Sequence, residues 1–352
     1  MEQYICRPRV MWLSIVDYCN NRCLWCYEQC NEVLGRSMSL DLVKRICNAM
    51  RSVGVKKCIV IGGEPTLHPN FFEVLSEIKE CGFTISLVTN GRLISKHEIA
   101  EKLSQTRPDF LTISIHGWSP ESYCRLTKSK NGFSEVAEGM TLLRKHGVKF
   151  EVNITLSKLT AGLTEEILSF LEANNIKHAG FNLASPSVSA QKTVAEFVPT
   201  MQELASQAVS VFKGCLSRGI RPSFLLTLPF CLFGDEELSE FFKARAVISG
   251  CQLLSGSGIV FQADGSISLC NHLLDFKIAN PQQTRELLAS EGNFLEFWNA
   301  EKLCEIRKQA NCFRSPVCSK CSQWGICGAG CMVRWAHHSL SEVEFREVNI
   351  NI

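Results

Sequence analysis

Long apolar runs are missing from this sequence. No stretch reaches the roughly 18–20 apolar residues that a membrane-spanning helix requires. The first residues, Met1–Arg9, are polar and basic, and the apolar run that follows them has the length of a strand, so no secretory signal is expected. The sequence therefore predicts a cytoplasmic protein without a membrane partner.

An excess of charge of one sign is missing as well. The chain has 37 Lys and Arg against 35 Asp and Glu, for a formal net charge of +2. No basic block and no basic–aromatic stripe appears, so nucleic-acid binding is not predicted. Internal repeats and low-complexity linkers are absent from the sequence, and its length and apolar fraction suffice for two packed domains.

Cysteine, in contrast, is abundant, with 19 residues in 352. A small secreted protein with this content would hold a disulfide framework, whereas a large chain without a secretory signal points to metal. Three of the thiols, Cys19, Cys23 and Cys26, follow the apolar run Val10–Val16 at Cys-x3-Cys-x2-Cys spacing. Thiolates this close together can converge on one metal centre. A [4Fe–4S] cluster takes four ligands, so three cysteines leave one iron open.

Two simpler interpretations of this loop stay open. The three thiols could hold a zinc ion with a distant fourth ligand, or they could be ordinary buried cysteines.

With Trp25 at the aromatic position, the loop resembles the signature of the radical S-adenosylmethionine (SAM) enzymes, Cys-x3-Cys-x-aromatic-Cys. The resemblance implies that the amino and carboxylate groups of SAM chelate the open iron. One electron then cleaves SAM to methionine and a 5′-deoxyadenosyl radical, which abstracts hydrogen from a substrate. An electron donor such as flavodoxin or ferredoxin is implied as a partner.

Strand-like and helix-like segments alternate through the first 218 residues. Strands are predicted near 10–16, 57–61, 84–89, 110–115, 149–155 and 178–183, and helices near 39–53, 69–81, 95–104, 133–147, 163–174 and 200–218. Ser39 and Ser95 are predicted as helix N-caps, and Gly54, Gly82 and Gly147 as the residues just past helix ends. Alternation of this kind predicts an α/β fold with a parallel sheet and crossover helices.

Six such units fall short of an eight-fold barrel. They match the partial (β/α)6 TIM-type barrel that the resemblance implies. We predict this barrel over residues 8–218 and a smaller cysteine-rich α+β domain over 219–352.

Polar motifs are expected to gather where the strands of a barrel end. Gly62-Gly63-Glu64-Pro65 follows the second strand and resembles the Gly-Gly-Glu motif of the family. The resemblance implies that Gly62, Gly63 and Glu64 hold the amino group of SAM. Glycines allow close backbone approach and a carboxylate accepts hydrogen bonds from an ammonium group, although such a turn can also be a plain loop.

Four further residues are weaker candidates for contacts with SAM. Asn90 lies in Thr89-Asn90-Gly91 after the third strand, where Asn-Gly is equally a common turn. The resemblance implies that Ser114 and His116, at the end of the fourth strand, contact the ribose, and His116 is as readily a structural histidine. Asn153, with Thr155, is expected to face the carboxylate or the ribose.

The second half carries its own cysteine pattern. Cys318, Cys321, Cys327 and Cys331 follow Cys-x2-Cys-x5-Cys-x3-Cys, and upstream Cys251 precedes Gly265-x4-Cys270. Together these resemble the SPASM extension of radical SAM enzymes, which carries auxiliary [4Fe–4S] clusters. A zinc ribbon built on the last four cysteines is the alternative.

The resemblance implies a nearer cluster on Cys251, Cys270 and Cys331 and a farther one on Cys318, Cys321 and Cys327. The family pattern ends with one more cysteine, but residues 332–352 contain none. Cys312 is the predicted replacement, and a non-cysteine ligand or an incomplete cluster are alternatives. The nearer cluster has an open site unless Cys231 supplies a thiolate. One or two auxiliary clusters are therefore expected.

Next to Cys270, the sequence has Asn271-His272. Sulfatase-maturing members of the family carry an aspartate as a base directly after this cysteine. Because an amide cannot take a proton, Asn271 counts against that particular oxidation. His272 is a candidate base, or equally a partner of the cluster.

Eight cysteines outside these patterns are expected to be mostly buried, since free cysteine behaves as a small hydrophobe. They are Cys6, Cys30, Cys47, Cys58, Cys81, Cys124, Cys215 and Cys304.

The substrate that the resemblance favours is a ribosomally made peptide, which such enzymes crosslink, epimerise or oxidise at a side chain. The cysteine loop begins at residue 19, which leaves no room ahead for a leader-binding domain. This counts against the peptide without removing it, because some such enzymes lack the domain or use a separate leader-peptide-binding protein. Oxidation, decarboxylation or epimerisation of a small molecule such as an aminoglycoside or a nucleoside is the alternative. A non-enzymatic iron–sulfur electron carrier or a zinc-stabilised scaffold fits less well, because neither needs the Gly62–Glu64 motif.

Overall fold

The computed structural model describes residues 6–28, 35–186 and 195–350. Its strands are β1 (Val10–Ser14), β2 (Lys57–Ile61), β3 (Thr84–Thr89), β4 (Phe110–Ile115), β5 (Glu151–Leu156), β6 (His178–Leu183), β7 (Arg221–Leu225), β8 (Val247–Ile248), β9 (Gly258–Phe261), β10 (Ile267–Ser268) and β11 (Lys277–Ala279).

The helices are α1 (Leu40–Ser52), α2 (Phe71–Glu80), α3 (His97–Thr106), α4 (Pro120–Thr127), α5 (Gly132–Lys145), α6 (Thr164–Ala173), α7 (Met201–Ser217), α8 (Asp235–Lys243), α9 (Gln252–Ser255), α10 (Pro281–Leu287), α11 (Glu291–Trp298), α12 (Glu301–Ala310) and α13 (Trp324–Cys327). Within the described ranges, no helix has the length and apolarity that a membrane crossing would require.

The chain divides into two compact units, each of which takes two pieces of the sequence. The first consists of the described residues of Met1–Phe150 and Gln252–Gln309, and the second of those of Glu151–Cys251 and Ala310–Ile352. The predicted sequence boundary near residue 219 falls inside the second unit and stays a prediction about domain organisation.

In the first unit, β1, β2, β3 and β4 pair in parallel and in sequence order. The other edge of β1 pairs in parallel with β9, so that Val10 lies between Lys57 of β2 and Gly258 of β9. Strands β10 and β11 continue from β9 with antiparallel pairing. All carboxyl ends of β1–β4 therefore lie at one edge, where the polar motifs of the sequence follow.

The second unit contains a parallel run of β5, β6, β7 and β8. Phenylalanines pack on one another in this unit: Phe181 stacks on Phe224 with ring centroids 5.0 Å apart, and Phe212 stacks on Phe241 at 3.9 Å. Phe212 and Phe241 also pack on Phe224, with ring centroids 6.4 and 5.1 Å apart, and these contacts join β7 to α7 and α8. Aromatic pairs of this kind add to the free energy of area burial.

The predicted α/β class, with its parallel sheet and crossover helices, is confirmed. All six predicted strands are present, and β1 ends two residues earlier than expected. Helix α4 was not predicted. It is only eight residues long, and the capping box of Ser119 and Ser122, rather than a long apolar periodicity, begins it.

The predicted helix ends are confirmed with one exception. Ser39 caps α1, because its side chain accepts a hydrogen bond from the Leu42 N–H. Gly54, Gly82 and Gly147 follow α1, α2 and α5 with φ of 95°, 80° and 67°, where glycine is favoured. The prediction for Ser95 is wrong. Its hydroxyl donates back to the Arg92 carbonyl, because a short 3-10 helix precedes α3.

The expected burial of the remaining cysteines holds for Cys47, Cys58, Cys81 and Cys215. It is wrong for Cys304, which is exposed on α12, while Cys6 and Cys124 are half-buried. Cys30 lies outside the described residues.

The two serines predicted as caps give a matched test of helix capping. We expect Ser39→Ala to lower the free energy of unfolding by about 1 kcal/mol, because the Leu42 N–H loses its partner. The control Ser95→Ala caps nothing and should stay within about 0.5 kcal/mol of the parent. Denaturant unfolding measures both, and equal losses would contradict the cap assignment.

Candidate active site

The loop after β1 brings Cys19, Cys23 and Cys26 together. The Cys26 N–H donates to the Cys23 carbonyl at 3.1 Å, which closes a turn, and the Asn21 N–H donates to Cys19 Sγ at 3.3 Å. Burial, Glu64 and the Cys26 thiol together raise the pKa of the Cys19 thiol to about 12. Burial raises the pKa of Cys23 as well, together with both other thiols. Three thiolates this close need a cation, which a bound metal centre supplies.

Backbone contacts fix the cysteine loop against α4. The Arg22 N–H donates to the Thr127 carbonyl at 2.7 Å, and the Leu24 N–H to the Leu126 carbonyl at 3.2 Å. The Arg22 guanidinium donates to the Cys19 carbonyl at 2.7 Å. These three contacts hold the loop in place without using a thiol.

A second set of contacts ties the loop to the end of β3. The Arg92 guanidinium bonds to the Asn20 carbonyl and to Asn21 Oδ1, and it pairs with Glu135 at 2.5 Å. The Asn90 amide donates to Asn20 Oδ1 at 2.7 Å. Asn20, Asn21 and Arg92 were not predicted as site residues. Their only signal is position, since Asn20 and Asn21 lie between Cys19 and Cys23 and Arg92 directly follows Gly91.

The Gly62-Gly63-Glu64 turn lies directly on the segment that follows β1. The Gly63 N–H donates to the Val16 carbonyl and the Glu64 N–H to the Tyr18 carbonyl, both at 2.9 Å. Gly62 has a φ of 153°, and a Cβ there would meet the Val16 oxygen at 2.6 Å. Only glycine permits this approach of two backbone segments.

The Glu64 carboxylate is buried at 1% exposure and links two strand ends. Its Oε1 accepts from the Thr66 hydroxyl at 2.5 Å and the Thr89 hydroxyl at 2.6 Å, and its Oε2 accepts from the Asn90 N–H at 2.7 Å. Burial raises the pKa of Glu64, while these hydrogen bonds lower it. A cation placed nearby would favour the ionised carboxylate.

His116 lies at the end of β4 beside the cysteine loop. Its ring packs edge-on against Trp25 with centroids 5.6 Å apart. Burial lowers the pKa of His116 to about 4, so the imidazole is neutral at neutral pH. Its Nδ1 is buried without a hydrogen-bond partner among the described residues. A bound ligand would supply that partner. Ser114 lies two residues earlier, half-buried on β4.

The structure also places His272 near the cysteine loop, within the same unit. Its ring lies 5.0 Å from the ring of Tyr27, the residue after Cys26. The His272 N–H donates to Cys270 Sγ at 3.4 Å. Cys270 and His272 therefore share the first unit with Cys19–Cys26. Asn153 and Cys251 lie in the second unit, Asn153 on β5 beside Gly180 of β6, and their roles stay predictions.

A separate cavity in the second unit is lined by four thiols, those of Cys231, Cys318, Cys321 and Cys327. We call it the cysteine cavity. Burial raises the pKa of Cys327 to about 11; the N–H groups of Phe230 and Ala329 oppose this, and Cys231 and Cys321 add to it. Cys312, the predicted ligand, is exposed and does not line the cavity.

Beside Cys331 the second unit buries a whole guanidinium. Arg334 is 0% exposed and donates to the Leu183 carbonyl at 3.0 Å and to Thr227 Oγ1 at 3.0 Å. Its Nη1 has no hydrogen-bond partner in the part of the chain that the structure describes. An anionic thiolate-bound cluster at Cys331 would supply the missing counter-charge, so the residues present fit such a group.

Comparison with known proteins agrees with this geometry. Residues 13–171 match the sequence model of a family described as "Radical SAM superfamily". The chain is 28% identical over 315 residues to a "Probable GTP 3′,8-cyclase" of Thermococcus kodakarensis, and the match covers 86% of this chain and 94% of that protein.

Two solved structures resemble the fold over almost the whole chain. Streptococcus suis SuiB bound to S-adenosylmethionine has a TM-score of 0.71 and 19% identity, covering 97% of this chain and 77% of that one. The structure "Native anSMEcpe with bound AdoMet and Cp18Cys peptide" has a TM-score of 0.67 and 21% identity, covering 92% and 89%. At these identities the likeness concerns the fold.

The family match and the three-thiol loop support assignment to the radical SAM superfamily. The protein is an enzyme of radical chemistry, and its cofactors are S-adenosylmethionine and a [4Fe–4S] cluster.

The close approach at Gly62 can be tested against a second glycine of positive φ. Gly62→Ala places a Cβ against the Val16 backbone, so we expect the turn to move. Overpacking should lower the free energy of unfolding by about 1–3 kcal/mol, in addition to the cost of backbone strain. Gly54→Ala is the control: its φ is 95°, but its Cβ meets nothing within 4 Å. It should cost only about 1–2 kcal/mol.

Denaturant unfolding and iron retained after gel filtration measure both variants. We expect only Gly62→Ala to lose iron. Equal behaviour of the two variants would show that the contact with Val16 does not position the cysteine loop.

Proposed function

We propose that Cys19, Cys23 and Cys26 ligate the SAM-cleaving cluster and that Gly62, Gly63 and Glu64 seat SAM beside it. What supports this most is the position of Asn90, whose N–H donates to Glu64 Oε2 at 2.7 Å and whose side-chain amide donates to Cys19 Sγ at 3.7 Å. These contacts bring the three-thiol loop and a buried carboxylate to one place. When bound, SAM and the cluster supply a 5′-deoxyadenosyl radical that removes hydrogen from a substrate.

The side chains around this point have proposed roles that follow from their contacts. Glu64 Oε2, which has one donor in the Asn90 N–H, would accept from the SAM ammonium group. Neutral His116, with its buried Nδ1, and Ser114 would bond the ribose, and Asn90 orders the loop through Asn20. Trp25 packs against the His116 ring and would keep water away.

The second half of the chain, on this proposal, is a SPASM-type domain with auxiliary clusters. Support comes from the order and spacing of its cysteines, from the thiol-lined cavity and from the buried Arg334 beside Cys331. His272 lies beside Tyr27, and its N–H donates a hydrogen bond to Cys270 Sγ. It is the proposed base that takes a proton from the oxidised substrate.

For the substrate we propose a ribosomally made peptide, modified by crosslinking, epimerisation or side-chain oxidation. The auxiliary-cluster pattern of Cys251–Cys331 supports this, as does the fold shared with SuiB, which has also been solved with its precursor peptide SuiA. A reductant such as flavodoxin or ferredoxin and a separate leader-binding protein are the partners proposed.

A second candidate is a small molecule, in particular a purine nucleotide. The observation that favours it is the 28% identity with the "Probable GTP 3′,8-cyclase", which extends over 94% of that relative. The peptide proposal predicts no need for a triphosphate, so direct comparison of substrates separates the two.

The radical chemistry is tested by one variant and one control under anaerobic, reducing conditions. Cys23→Ala removes one ligand of the SAM-cleaving cluster, so we expect 5′-deoxyadenosine formation to fall by at least about 100-fold. Iron held by the second unit should stay in place. Cys304→Ala, an exposed thiol outside all proposed sites, should leave both unchanged. Normal cleavage of SAM by Cys23→Ala would refute the ligand assignment.

The substrate class is tested by the same assay with SAM alone, with a short peptide encoded beside the gene, and with GTP. We expect the peptide to stimulate 5′-deoxyadenosine formation and to change in mass. Stimulation by GTP alone, with a new nucleotide product, would replace the peptide proposal with the second candidate.

A further inference from the structure

The cysteine cavity joins two parts of the second unit that are far apart in sequence. Cys318, Cys321 and Cys327 come from the segment that runs from Pro316 to the end of α13, and Cys231 comes from a 3-10 turn, Phe230–Leu232, that follows β7. All four line the same cavity. The family pattern provides three of these positions, and it takes its fourth thiolate from a downstream cysteine, whereas residues 332–352 contain none.

Direct contacts connect the Cys231 turn with the other three thiols. The Phe230 N–H donates to Cys327 Sγ at 3.3 Å. The thiols of Cys231, Cys318 and Cys327 line the same cavity, so this hydrogen bond holds the Cys231 turn next to them. The turn that carries Cys231 is therefore in direct contact with the segment that carries the other three cysteines.

The turn that carries Cys231 is fixed by the segment that follows Cys327. The Cys331 N–H donates to the Thr227 carbonyl at 2.9 Å, and the buried Arg334 donates to the same residue. Gly330 has a φ of 77°, and a Cβ there would meet the Thr227 oxygen at 2.6 Å. This close packing sets the position of Cys231 four residues later.

The Cys231 turn and the C-terminal segment both approach the thiols of the cavity. Cys327 Sγ accepts from the Phe230 N–H at 3.3 Å, and Arg346 lines the cavity. A hydrogen bond to the sulfur atom stabilises a thiolate and tunes an iron–sulfur cluster. Arg346 belongs to the C-terminal segment, where the family has its last cysteine, so here that segment contributes to the wall of the cavity.

The walls of the cavity suit a cluster that is kept from solvent. Pro229, Trp324, Phe345 and Val348 line it together with the thiols. Within the described ranges, no group of three or more His, Cys, Asp or Glu side chains is placed to hold a metal ion. A cluster here is supported by the four thiols that line the cavity and by the Phe230–Cys327 contact.

Cys312 is placed differently. It is exposed, and its sulfur accepts from the Arg314 guanidinium at 3.4 Å. It is absent from the residues that line the cysteine cavity.

We propose that Cys231 is the fourth ligand of an auxiliary [4Fe–4S] cluster held by Cys318, Cys321 and Cys327, in place of the downstream cysteine of the family pattern. This inference rests on the proposed presence of auxiliary clusters, and it moves Cys231 from the nearer cluster to the farther one. It also leaves Cys312 without a ligand role.

The test compares Cys231→Ala with Cys312→Ala in the otherwise complete chain, reconstituted anaerobically. Iron, sulfide and zinc are measured per chain, and EPR spectra are recorded. We expect Cys231→Ala either to lose about four irons or to keep a three-iron cluster with its oxidised EPR signal. Cys312→Ala should match the parent in all four measurements.

Cys231→Ser guards against a folding defect, because it keeps the size of the side chain but offers a poorer ligand to iron. With circular dichroism like that of the parent, it should change the EPR spectrum of the cluster. Loss of iron from Cys312→Ala, or parent-like iron and spectra in both Cys231 variants, would overturn the inference. Zinc without sulfide in place of the cluster would overturn it as well.

Failure of the proposed function is recognised separately. If the parent holds no iron beyond what Cys23→Ala removes, the auxiliary clusters themselves are refuted, and the inference falls with them. If that additional iron is present but insensitive to position 231, only the inference is refuted.

Discussion

The buried carboxylate of Glu64 is the constraint on which the candidate active site depends. It accepts hydrogen bonds from Thr66, Thr89 and Asn90, and so it connects the ends of β2 and β3. It also lies close enough to Cys19 to raise the pKa of that thiol. A buried carboxylate beside buried thiols is unfavourable unless a cation joins them. The site is therefore organised around positive charge that its cofactors bring.

The same electrostatic problem recurs in the second unit with a different solution. There Cys327 of the cysteine cavity accepts a hydrogen bond from the Phe230 N–H, and a buried guanidinium, Arg334, lies next to Cys331. Two ways of compensating thiolates thus occur in one chain. Both sites contain a short turn with a glycine, Gly62 against Val16 and Gly330 against Thr227. The absence of a side chain there allows two backbone segments to pack closely.

Sequence patterns predicted those features of the fold that depend on residues close together in the chain. The six strands, the cap at Ser39 and the glycines that end α1, α2 and α5 follow from periodicity and backbone freedom. Ser95 failed because a 3-10 helix directly ahead of α3 took the place of its capping geometry. The contacts of Arg92 with the cysteine loop could not be predicted, since no spacing links it to Asn20 and Asn21.

The sequence by itself determined the α/β class, the three-thiol loop and the chemistry that its spacing indicates, because each depends on residues close together in the chain. Only the tertiary structure decided which distant side chains share a site. Tyr27 meets His272 across about 245 residues of chain, and Cys231 meets Cys318 across about 90. Such pairs depend on how strands and turns pack, and packing leaves no periodic signal in a single sequence.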